Sequence, residues 1–139
     1  MIKFRVWDRI AQRMIYPGET VVDEMGDSFF IMIDQKGFIY EVYDSPLGYY
    51  LEENSERYEL MLCVNEKDKN GKDIYVGDII EFNDQGKSIR GIVKEDIYEI
   101  FVPQFYDKLR NFDWDTFEVI GNIYQNPEQI PPDFYEEKN

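Results

Sequence analysis

Apolar residues in this chain alternate with polar ones over short runs, and glycine, proline, asparagine or aspartate closes almost every run. Period two is the spacing of a pleated strand, whereas an amphipathic helix needs apolar residues every three or four positions. Ile2, Phe4 and Val6 alternate with Lys3, Arg5 and Trp7, which predicts a strand with one buried face and Met14-Ile15-Tyr16 as its partner. Ser28–Ile33 and Phe38–Tyr43 flank Asp34-Gln35-Lys36-Gly37 and predict a hairpin of β-branched and aromatic residues. Pro46, Gly48, Asn54 and Ser55 make Asp44–Glu56 read as a loop, with Tyr49-Tyr50-Leu51 pinned against an apolar surface.

Farther along, Arg57–Val64, Ile74–Phe82, Ile89–Lys94, Asp96–Val102 and Thr116–Tyr124 are strand candidates. Asn70-Gly71 supplies two residues that tolerate positive φ in a tight turn. Gly77 and Gly121 mark bends inside strand patterns. Helical signals are confined to Gln104–Asn111 and to Asn126-Pro127-Glu128, where proline suits a first helical position. The expected fold is mainly β. An N-terminal β-hairpin layer occupies 1–56, and a small, SH3-like, partly open β-barrel with few short helical turns occupies 57–130. A flexible tail, opening on two prolines, covers 131–139.

Composition narrows the function classes. Of 139 residues, 29 are acidic and 15 basic, a net charge of −14 that argues against nucleic-acid phosphates as the partner. A hydrophobic fraction of 43%, with 17% aromatic, argues against intrinsic disorder. The chain has no histidine, which removes the commonest proton shuttle and metal ligand. The single Cys63 lies between Leu62 and Val64 and reads as a small buried hydrophobe. Without histidine, neither Cys63 nor Ser28, Ser45, Ser55 or Ser88 has the usual base to activate it. No apolar run approaches the roughly 20 residues of a membrane span. The opening residues alternate basic and apolar rather than forming a secretory signal. A cytoplasmic setting is expected.

Two acidic constellations invite a metal or acid–base reading. Asp68–Asp73 places Gly71 fourth rather than sixth, and Lys67, Lys69 and Lys72 oppose a cation, so a hairpin turn fits better than a calcium loop. Asp113 with Asp115, and Glu95 with Asp96, are close pairs that such an acidic chain produces by composition alone. Seven aromatics fall between Tyr98 and Phe117. They serve either as barrel filling or, at Tyr98, Phe101, Phe105, Tyr106, Phe112 and Trp114, as a protein-interaction surface.

Three stretches, taken together, resemble the YopX family. They are Ile2-Lys3-Phe4-Arg5-Val6-Trp7-Asp8 with Met14-Ile15-Tyr16, the central run from Lys67 to Ile80, and the closing run from Phe117 to Glu128. Val64-Asn65-Glu66 stands where the family usually has a Thr-Gly pair. The resemblance implies a small β-rich protein of phages and prophages of Gram-positive bacteria, with no established catalytic or binding residues to carry over.

The expected function is therefore a non-enzymatic phage accessory protein that binds a protein partner or assembles with itself. No cofactor, metal, membrane or small-molecule substrate is expected. The alternatives are an acidic decoy for a nucleic-acid-processing host protein and a weak nucleic-acid-binding barrel.

Overall fold

Strands form where the alternation is strongest. In a computed structural model, which describes residues 3–94, 100–102, 106–109 and 113–131, the architecture is mainly β. Two compact units divide it, Met1–Met61 and Leu62–Asn139. The division falls inside strand β7 (Tyr58–Lys67), where no turn residue marks it.

In the first unit, β1 (Phe4–Asp8) pairs antiparallel with β2 (Arg13–Ile15), Val6 opposite Ile15 and Trp7 opposite Met14. Every residue of β1 is buried, Arg5 and Trp7 included, against the expectation of one buried face. Pairing with β2 and β7 covers both edges of the strand, and Phe4 and Val6 on one face and Arg5 and Trp7 on the other are all buried. A second sheet runs in the order β3 (Val21–Val22), β4 (Ser28–Ile33), β5 (Ile39–Ser45), β6 (Gly48–Glu53). The predicted hairpin is β4–β5, in unbroken register from Phe29 opposite Tyr43 to Ile33 opposite Ile39. Asp34 shapes its turn by accepting hydrogen bonds from the N–H groups of Lys36 and Phe38.

The expected loop over Asp44–Glu56 is instead mostly strand. Pro46 and Leu47 form a two-residue turn between Ser45 and Gly48, whose φ of 111° only glycine adopts readily. Tyr49, Tyr50 and Leu51 are exposed on the returning strand rather than pinned under apolar cover. Phe4, Val6, Ile15, Phe29, Ile31, Ile39, Tyr43 and Tyr58 are among the residues that pack the core of this unit.

In the second unit, the later residues of β7 pair with β8 (Asp73–Tyr75). A five-stranded antiparallel sheet curls into a half-barrel in the order β12-β11-β10-β9-β13. Its strands are β9 (Asp78–Asp84), β10 (Lys87–Val93), β11 (Ile100–Val102), β12 (Tyr106–Leu109) and β13 (Glu118–Asn122). Within Gln104–Asn111, where helical turns are expected, Tyr106–Leu109 is instead β12, paired with β11, and the rest lies outside the described residues. Sheet pairing overrides a weak local helical signal. Short 3-10 turns form at Trp114–Thr116 and Pro127–Gln129. Val64, Ile74, Ile80, Val93 and Phe117 make a separate core.

The central and closing sequence motifs meet in this unit. The N–H of Lys69 donates to the Phe117 carbonyl at 2.8 Å, and the N–H of Val119 donates to the Asp68 carboxylate at 2.9 Å. At the Gly77 bend, the Ile123 N–H reaches the Gly77 carbonyl, while the Gly77 N–H reaches Val93. Both motifs thus act on the fold.

Candidate protein-interaction surface

The buried carboxylates have structural partners. Asp8 accepts the Nε and a terminal nitrogen of Arg57, both at 2.9 Å, together with the N–H groups of Ile10 and Ala11. Burial alone would raise this carboxyl, but Arg57 and the two amides outweigh it and hold it below the ordinary aspartate value. Asp68 accepts the N–H groups of Asn70, Lys72 and Val119. These donors likewise overcome burial and depress its pKa. The carboxylate is engaged in shaping the turn, consistent with the hairpin reading of Asp68–Asp73. Glu41 accepts from the hydroxyls of Tyr58 and Tyr43 and from the Asn54 amide. Burial first, and then Glu41, push the Tyr58 phenol well above its ordinary value.

Cys63 is a buried free thiol. Asp113 is exposed, and its carboxyl is raised by a hydrogen bond and charge repulsion from Asp115. Among the described residues, no three His, Cys, Asp or Glu side chains gather as metal ligands would. No described helix is long and apolar enough to cross a membrane. Arg9, just after β1, pairs with Glu59, and Arg13, in β2, pairs with Glu19, both within the first unit.

Of the six predicted interface aromatics, Trp114 is half-buried and meets Phe117 edge-on, ring centroids 5.8 Å apart. Phe117 also packs against Phe82 in the core of the second unit. Phe101 falls in β11 and Tyr106 in β12. Tyr98, Phe105 and Phe112 lie outside the described residues.

An exposed apolar surface lies on the first unit. Pairing along β3–β6 directs Phe29, Ile31, Ile39 and Tyr43 into the core. The opposite face then receives Phe30, Met32, Tyr40, Val42, Tyr49 and Leu51 by strand alternation. Val42 is buried at its centre, whereas Met32 is 42%, Leu51 49% and Tyr49 68% exposed. Tyr49 meets Phe30 edge-on, and across the strand Tyr50 stacks on Tyr43 at 5.2 Å. At the hairpin tip, Leu47 is fully exposed.

Every residue of β6 is exposed, and β6 ends its sheet. Asp44 lies opposite Tyr49, Glu52 and Glu53 end β6, and Glu56 follows in the chain; all four are exposed. The signal for this surface was present in the sequence: Ser28–Ile33 and Phe38–Tyr43 carry apolar residues at both parities of the strand. A sheet with one solvated face needs them at only one.

A family model described as YopX protein matches residues 3–131 of the chain. Among solved structures, protein yopX from Bacillus subtilis is similar at 26% identity with a TM-score of 0.60. That match covers 93% of this chain and 98% of the Bacillus chain. Protein EF1440 from Enterococcus faecalis is 25% identical with a TM-score of 0.49, over 92% of this chain and 96% of its own. No curated protein matches.

Proposed function

The chain belongs to the YopX family, and on that premise we propose that it is a non-enzymatic protein-interaction module, a cytoplasmic accessory protein of phage or prophage origin. Its docking site is the outer face of β4, β5 and β6. The carrying observation is the exposure of Met32, Leu47, Tyr49 and Leu51 together on one sheet and its hairpin tip. Contiguous exposed apolar groups of this kind favour burial against another molecule, with aromatic rings as anchors. The surrounding acids argue against a phosphate backbone as that molecule.

The test compares the full chain with a Leu47→Ser, Tyr49→Ser, Leu51→Ser variant as bait in a bacterial lysate, alongside light scattering of each protein alone. Retained proteins, or self-association, that disappear in the variant support the reading. Identical retention and identical mass for the two proteins overturn it.

A further inference from the structure

The free edges in the two units differ in how they are guarded. The edge strands β3 and β2 are only two and three residues long, too short to template much pairing. The edge of β13 is covered near its start, where Asp68 accepts the Val119 N–H. β6 is six residues long, pairs with β5 without a register shift, and contains no proline, lysine or bulge. In an antiparallel ladder every second residue of such an edge turns its N–H and C=O outward, ready for another strand.

Charge selects which strand. Asp44, Glu52, Glu53 and Glu56 are exposed, and among the described residues no ion pair engages them. A second copy would bring the same acids to the same edge, so like charge opposes pairing between copies. A cationic strand meets the opposite situation.

Resting on the interaction reading above, we infer that the β6 edge takes up an extended segment of another protein in which apolar and cationic residues alternate. The added strand would set its apolar residues beside Tyr49 and Leu51, on the outer face of the sheet. Its cationic residues would fall beside Tyr50 and Glu52 on the other face, where arginine gains both a carboxylate and an aromatic ring. Backbone pairing supplies affinity in this mode, and the alternating side chains supply selectivity.

The experiment titrates the full chain with labelled Arg-Val-Arg-Val-Arg-Val-Arg and with two controls. One replaces arginine by glutamate; the other replaces valine by glycine, retaining the charge and losing strand propensity and apolar contact. The expected result is binding at least tenfold tighter for the arginine–valine peptide than for either control. Glu52→Gln, which removes the β6 carboxylate on the arginine face, should weaken it severalfold, and bound peptide should slow hydrogen exchange within β6. Leu51→Pro should abolish binding, with circular dichroism reporting whether that variant folds.

Equal binding of the glycine-spaced peptide shows simple charge attraction and overturns the inference. So does unchanged affinity in the folded Gln variant, or a dimer of the free chain that β6 substitutions dissolve. If the serine variant loses captured proteins while the arginine–valine peptide never binds, the interaction module stands and the cationic strand is rejected.

Discussion

Asp68 ties the Asn70-Gly71 turn to β13 through one carboxylate that accepts three backbone N–H groups. Replacing it with asparagine removes the charge and at least one acceptor site, leaving a buried amide without its partner. Asp68→Asn is expected to lower unfolding free energy by about 3 kcal/mol, the scale of charge-assisted hydrogen bonds, measured by urea denaturation at neutral pH. The pH dependence has a definite sign. Asp68 and Asp8 both have folded pKa values below the ordinary one, so the folded state binds fewer protons. Their stabilisation is complete above the unfolded value of about 3.9 and is lost as pH falls through the lower folded values. The urea midpoint should therefore fall as pH drops below about 4, with a shallower fall in Asp68→Asn. Gly121 shows a steric requirement at the same scale. A Cβ there would lie 2.5 Å from Asn126 Oδ1, the atom that accepts the Asn122 N–H. Gly121→Ala should cost about 1–3 kcal/mol, read from the same urea curves, by displacing that side chain.

The β5–β6 hairpin shows what local signals conceal at the scale of an element. Pro46 and Gly48 read as loop residues because each is a turn former, yet here Pro46 opens a two-residue turn and Gly48 begins the returning strand. Tyr49-Tyr50-Leu51 has strand propensity, but its partner Val42-Tyr43-Asp44 carries a strand pattern only as far as Tyr43. Pairing partners are non-local information. The β4–β5 hairpin was legible because both strands and their turn are contiguous and each carries its own signal. Since Tyr49 and Leu51 are exposed, changing both to serine should alter unfolding free energy by no more than about 0.5 kcal/mol. Thermal or urea unfolding of the double variant checks this, and a near-neutral result separates a docking role from a folding role.

At the scale of the whole molecule, a charge of −14 places repulsion within and between copies of the chain. Raising NaCl from about 0.01 to 0.15 M shortens the screening length from roughly 30 to 8 Å. The melting temperature should therefore rise by several degrees, followed by scanning calorimetry; a fall would mean that attractive surface pairs such as Lys67 with Asp73 outweigh the repulsion. The two cores, one around Phe29 and Tyr58 and the other around Ile74 and Phe117, contain the apolar residues that the alternation had already marked. By itself the sequence determined the mainly β class, the Asn-Gly turn, the Gly77 bend and family membership, because alternation and turn chemistry act between residues close in the chain. Only tertiary structure decided that β1 would be buried on both faces, that Asp68 would grip Val119 and that β6 would end its sheet exposed. Those outcomes depend on which distant segments lie beside or over each strand, and no local pattern encodes an absent neighbour.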